Sequence, residues 1–169
     1  DIRSSRAIPE VIRENAGEPN VTRVGHSYIK YLMRKENALM AGEVSGHVYY
    51  RDSYYTESSI ITVINFMNCL QSGKKMSELI TPLRRYFQTG ELNYTVSDKD
   101  KAISAVEKKY IKQALSINRL DGISLDMGDW WFNLRMSNTE PLLRLNLEAK
   151  TKELMEAKKE EISHIISLN

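Results

Sequence analysis

The chain has one cysteine, four prolines and no long apolar run, and each shortage removes a class of protein. A single thiol, Cys69, cannot close an intrachain disulfide, so this is no disulfide-stapled scaffold, and a reducing compartment is the simpler expectation. Cys69 falls within an apolar helical pattern and is expected in or near the core. The most apolar stretch, Ile60 to Leu70, is interrupted by Thr62, Asn65 and Asn68 and is too short to span a bilayer. No signal-peptide pattern occurs, so a cytoplasmic location is expected. Charge of one sign is also lacking. The 24 basic and 22 acidic residues leave a formal net charge of +2, with no global field to draw nucleic acid or an anionic membrane. Any anion must be held locally.

What is present is enough for a buried core: 169 residues, 41% hydrophobic and 27% charged, the size of one domain or two small ones. The first residue is Asp1, not Met, and Asp1-Ile2-Arg3 reads as the tail of a strand already under way, so a fragment is expected.

Ile8, Val11 and Ile12 mark a short helix between serines and Gly17, Val21 to Val24 a strand, and Ile29, Leu32 and Met33 a second helix. Strands at Ala38–Gly42 and Val48–Tyr50 flank a turn, and a longer helix carries Ile60, Val63, Ile64, Met67 and Leu70. This alternation is an α/β pattern. Gln88-Thr89-Gly90 reads as a turn before a strand from Glu91 to Val96, and Ser97-Asp98 caps a helix with Ile103, Val106 and Tyr110. Strands at 123–127, 130–136 and 142–148 and a charged terminal helix complete an antiparallel α+β domain with its helices on one face. The expected organisation is therefore residues 1–88, a mixed α/β sandwich domain truncated at its start, and residues 89–169, a small antiparallel-sheet domain.

Three constellations carry chemistry. In Arg135-Met136-Ser137-Asn138-Thr139-Glu140-Pro141, strand alternation sets Trp130, Phe132, Leu134 and Met136 on one face and Trp131, Asn133 and Arg135 on the other. Hydroxyls, an amide and backbone donors lie between Arg135 and Arg144, a set suited to a phosphate dianion. The same residues equally suit a plain polar hairpin loop stiffened by Pro141. In Gly42-Glu43-Val44-Ser45-Gly46-His47, a carboxylate, a hydroxyl and an imidazole on a tight turn can bond vicinal sugar hydroxyls, and His47 can move a proton near neutral pH; a polar strand connection is the alternative. Gly25-His26-Ser27 sits at a helix start, where free amides and His26 meet a ligand or merely cap the helix. Asp98 and Asp100 read as helix capping, and no acidic cluster resembles a magnesium site.

Together and in this order, the three constellations resemble the α-D-phosphohexomutases, specifically the phosphomannomutase/phosphoglucomutase branch, over the whole chain. Residues 135–141 with Arg144 are similar to that family's phosphate-binding loop in its fourth domain, and Gly42–His47 to the sugar-specificity loop of its third. The resemblance implies that Arg135, Ser137, Asn138, Thr139 and Arg144 hold phosphate, and that Glu43, Ser45, His47, His26 and Arg3 meet the sugar. It also implies an isomerase interconverting hexose 1-phosphate and 6-phosphate through a phosphoserine, with Mg2+ and a hexose 1,6-bisphosphate intermediate. The family's Ser-His-Asn serine loop and Asp-Gly-Asp-Gly-Asp metal loop do not occur here. The expected partners are thus a phosphorylated hexose and the N-terminal domains of the same protein, with no catalytic serine and no metal ligand among these residues and no turnover by the chain alone. A phosphosugar-binding module without catalysis is the alternative.

Overall fold

Stripes of apolar residues at helical and strand spacing organise the chain into two units, Asp1–Arg85 and Tyr86–Asn169. The computed structural model describes residues 1–71, 73–137 and 140–169.

The first unit contains helices α1 (Ala7–Glu14) and α2 (His26–Lys35), strands β1 (Met40–Gly42), β2 (Val48–Tyr50) and β3 (Thr56–Glu57), and helices α3 (Ser59–Leu70) and α4 (Met76–Ile80). The strands form an antiparallel sheet in the order β1-β2-β3. Ile29 and Met33, one turn apart on α2, bury against Tyr49 of β2, with Ala38, Ala41 and Tyr55 around them. The Ser5 hydroxyl accepts the Ala7 amide proton at 3.1 Å, as the serines ahead of α1 suggest. Arg85 closes the unit by forking onto Glu14, with both contacts at 2.6 Å, and reaching Glu10 at 3.2 Å.

Two expectations fail in this unit. Val21–Val24 is not a strand, although the Ile2 amide donates to the Thr22 carbonyl at 2.9 Å. Helix α3 buries none of its residues, and Cys69 is exposed. Ile60, Val63, Ile64 and Met67 share one face at helical spacing, yet all four are exposed, as is Phe66, so the apolar pattern marks the helix without marking what covers it.

The second unit is built on a five-stranded antiparallel sheet, ordered β4-β8-β7-β6-β5. Its elements are β4 (Phe87–Tyr94), α5 (Lys99–Tyr110), β5 (Ser116–Asn118), β6 (Ile123–Asp126), β7 (Trp130–Met136), β8 (Leu143–Ala149) and α6 (Lys152–Ser167). Asp98 caps α5, accepting from the Lys101 amide at 2.9 Å, and Thr151 caps α6, accepting from the Leu154 amide at 3.2 Å. Phe132, Leu134, Leu145 and Leu147 on the sheet meet Ala102, Val106, Ile162 and Ile166 on the helices. Each fully buried large apolar side chain contributes roughly 1.5–3 kcal/mol by leaving water. Tyr110 packs edge-on to Trp130 with ring centroids 5.3 Å apart.

The opposite face of the same sheet is polar almost throughout. The register aligns Trp131 with Glu148, Asn133 with Asn146 and Arg135 with Arg144, and on the flank Gln88, Glu91 and Asn93 pair with Glu148, Asn146 and Arg144. Many of these side chains are buried and matched to one another. Trp131 Nε1 donates to Glu148 at 3.0 Å, Gln88 donates to the other Glu148 oxygen at 2.9 Å, and Asn133 donates to the Asp121 carbonyl at 2.8 Å.

Residues 88–90 are not the expected turn but part of β4. The register shifts between Gln88 and Glu91, so Thr89 and Gly90 together oppose Leu147 in a β-bulge. The Thr89 hydroxyl accepts the Leu147 amide proton at 3.1 Å, replacing a ladder bond. Strand β5, three exposed residues at the sheet edge, is too short for its alternation to be read from sequence.

Candidate functional site

The paired strands β7 and β8 hold Arg135 and Arg144 directly opposite each other. Their guanidinium groups converge on one carboxylate: Arg135 Nη2 lies 2.9 Å from Glu91 Oε2, and Arg144 Nη1 lies 3.2 Å from Glu91 Oε1. Arg144 Nη2 is also paired with Glu140. Two positive and two negative charges thus form a neutral cluster.

The two arginines differ in access. The Arg135 side chain is 1% exposed and that of Arg144 is 19% exposed, so Arg144 is the more reachable cation. Behind Arg135 lies Gly122, whose φ of +67° suits glycine; a Cβ there would stand 2.3 Å from the Leu134 carbonyl oxygen and 2.6 Å from Arg135 Cα. The turn before β6 therefore lies against the Arg135 backbone. Ser137 heads the loop after β7, where its hydroxyl accepts the Glu140 amide proton at 3.2 Å. Asn138 and Thr139, expected to hold phosphate, lie outside the described residues.

The second constellation is the hairpin joining β1 to β2, closed by the Glu43 amide donating to the His47 carbonyl at 2.9 Å. The Glu43 side chain is only 11% exposed. Tyr49 Oη donates to Glu43 Oε1 at 2.5 Å; burial and then that carboxylate hold the Tyr49 hydroxyl well above its ordinary pKa. Arg3 Nη2 stands 3.8 Å from Glu43 Oε2 and 2.7 Å from Asp1 Oδ2. The Asp1 carboxylate also accepts the Val44 amide proton at 3.1 Å, pinning the hairpin to the start of the chain. Arg3 is therefore already engaged by two carboxylates.

Ser45 and His47 face more open surroundings. Ser45 Oγ lies 2.9 Å from His47 Nδ1, and His47 Nε2 lies 3.5 Å from Glu57. They border a hollow of about 240 Å³ lined also by Val48, Glu57, Thr62 and Val63, and Glu43 is not among its walls. His26 is exposed at the first position of α2, and among the described residues no hydrogen bond or ion pair joins it to the Glu43 hairpin.

Sequence reasoning missed three residues that organise these groups: Tyr49, Glu91 and Glu140. The Glu140 to Arg144 spacing of four was the clearest signal; Tyr49 reads as core, and the nearness of Glu91 depends on the pairing of β4 with β8. Among the described residues no group of three or more His, Cys, Asp or Glu side chains could hold a metal ion, so the magnesium implied by the resemblance is assigned no residue here. No helix among them is long and apolar enough to cross a membrane.

Comparison with known proteins follows the same division. Residues 1–86 match the family model for phosphoglucomutase/phosphomannomutase, alpha/beta/alpha domain III, and residues 91–165 that for the phosphoglucomutase/phosphomannomutase C-terminal domain. The chain belongs to the phosphoglucomutase/phosphomannomutase family. It is 40% identical to a phosphomannomutase of Methanocaldococcus jannaschii over 99% of this chain and 37% of that protein, and 39% identical to a phosphomannomutase of Escherichia coli K12 over 89% and 33%. A Burkholderia thailandensis phosphoglucomutase/phosphomannomutase family protein superposes with a TM-score of 0.84 at 27% identity, over 99% of this chain and 36% of that one. The chain thus spans about a third of the length of the relatives it matches.

Proposed function

We propose that this chain is the sugar- and phosphate-recognising part of a hexose-phosphate mutase, which interconverts hexose 1-phosphate and hexose 6-phosphate through a phosphoserine enzyme and a bisphosphorylated sugar. The observation that carries the reading is the convergence of Arg135 and Arg144 from register-opposed positions beside the Ser137–Glu140 loop. Forked guanidinium groups match the oxygens of a phosphate dianion. Arg144, the more accessible of the two, makes the outer contact, and the dianion displaces Glu140 from it. Arg135 supplies charge from behind. The Ser137 hydroxyl and loop amides complete the set.

This part of the site holds the phosphate that is not reacting, while Glu43 and Ser45 bind ring hydroxyls. Because the sugar presents first one phosphate and then the other, the grip must serve two orientations of a similar shape. Positioning and charge stabilisation then carry most of the rate. The nucleophilic serine and the metal belong to loops that this sequence does not contain.

The test is a titration of the 169-residue chain with mannose 6-phosphate and mannose 1-phosphate. Saturable binding of both is expected, and Arg144→Ala should lower affinity by roughly 2–4 kcal/mol, the scale of removing one partner of a charged pair. Equal binding by wild type and variant would refute the phosphate assignment. Turnover of mannose 1-phosphate by these 169 residues alone would refute the division of labour between this part and a serine elsewhere.

A further inference from the structure

We propose that Glu91 is a positioning residue for the phosphate grip, a carboxylate that bridges Arg135 and Arg144 and fixes the spacing and tilt of both guanidinium groups. The inference rests on the reading of that arginine pair as phosphate ligands.

Arg135 and Arg144 face each other across two hydrogen-bonded strands, where like charges destabilise the pair unless an anion lies between them. Glu91 meets that need in a specific way, giving one oxygen to each guanidinium at 2.9 and 3.2 Å. Arg135 Nε and Arg144 Nε are buried with no hydrogen-bond partner. The remaining contact from Arg135, to the Met136 carbonyl, is long at 3.5 Å. The orientation of the inner cation therefore depends chiefly on Glu91.

Glu140, the second carboxylate at the cluster, is differently placed. It lies in the loop and is 52% exposed, whereas Glu91 is 23% exposed and belongs to a strand paired with β8 on both sides of its bulge. Glu140 can leave without breaking a ladder; Glu91 cannot. When phosphate arrives, Glu91 stays as the backing carboxylate, much as groups behind a metal's ligands fix their geometry.

Charge and geometry make opposite demands here. The negative charge of Glu91 weakens the attraction for a phosphate dianion, while its bridging preorganises the donors. Substitutions separate the two, because Glu91→Asp keeps the charge but is one methylene too short to span both arginines, and Glu91→Gln keeps the shape without the charge.

The experiment titrates inorganic phosphate and mannose 6-phosphate into the 169-residue chain and into its Glu91→Asp, Glu91→Gln and Arg144→Ala variants, following the arginine Nε–Hε signals by NMR. Glu91→Asp is expected to weaken binding of both probes about tenfold, as loss of an orienting partner does. Guanidinium rotation should quicken at both Arg135 and Arg144 in either Glu91 variant, which a purely long-range charge effect would not produce. Glu91→Asp binding like wild type overturns the proposal, as does rotation that stays slow in Glu91→Gln, the variant to use if Glu91→Asp does not fold. If Arg144→Ala binds like wild type, the phosphate reading itself fails; if it loses binding while Glu91→Asp does not, only the role of Glu91 fails.

Discussion

Replacing Gly122 with alanine is expected to destabilise the second unit far more than the same change at Gly128, although both glycines have positive φ, +67° and +83°. The backbone contribution is shared: an alanine in the left-handed region costs about 1 kcal/mol. The surroundings are not. At Gly128 the nearest atom to an added Cβ is Leu115 Cδ1 at 3.2 Å, the end of a side chain that can move aside. At Gly122 the nearest are the Leu134 carbonyl oxygen at 2.3 Å and Arg135 Cα and Cβ at 2.6 Å, all belonging to the central strand β7. That backbone must shift to relieve the overlap, and overpacking of this kind costs a further 1–3 kcal/mol or so. The excess over Gly128→Ala corresponds to a melting temperature lower by roughly 4–8 °C for each kcal/mol in a domain of this size. Both tryptophans, Trp130 and Trp131, are in β7, so thermal unfolding followed by tryptophan emission reports on this unit. Equal melting temperatures for the two variants would refute the claim that the turn before β6 is pressed against the strand bearing Arg135.

Tyr49→Phe should cost the first unit about 1.5–3 kcal/mol, since it removes a hydrogen bond to a carboxylate at a nearly enclosed Glu43; unchanged hydrogen exchange of the β2 amides would contradict this. Acid stability of the second unit should depend on Glu161, whose bonds to Lys109 and Lys158 hold its pKa down at about 2. Because the folded value lies below the ordinary 4.5, its contribution is complete above about pH 4.5 and fades as pH falls toward 2. Partial exposure of all three groups limits this to about 1 kcal/mol. Glu161→Gln should flatten that acid limb, and an unaltered pH profile between 4.5 and 2 would show the network to be inert.

The second unit was the more legible half because its signals were periodic and redundant. Alternation in β7 separates Phe132 and Leu134 from Asn133 and Arg135, and the structure keeps that division. Asp98 is at the cap of α5, and the helices lie on the face that the apolar residues require. The arginines could be placed near one another from strand spacing alone. Their counter-ion could not, because alternation with Leu92 and Tyr94 gives the facing of Glu91 but only the pairing of β4 with β8 brings it beside the arginines. Tyr49 escaped for another reason. A tyrosine in a short apolar strand looks like packing, and only the β1–β2 register brings its hydroxyl to Glu43. In α3 the helical period was right but the inference of burial for Cys69 was not, since an apolar stripe gives the period of a helix and not the surface that covers it.

The irregularity in β4 also puts slack into the edge of the sheet. Gln88 and Glu91 are three positions apart but pair with Glu148 and Asn146, which are two apart, so Thr89 and Gly90 take up one surplus residue and both flanking side chains keep the polar side. Deleting one of the two would leave an ordinary strand in which Gln88 and Glu91 still share that side. The aim of the Glu91 carboxylate is thus set by its partner across the ladder and is indifferent to one residue more or less ahead of it.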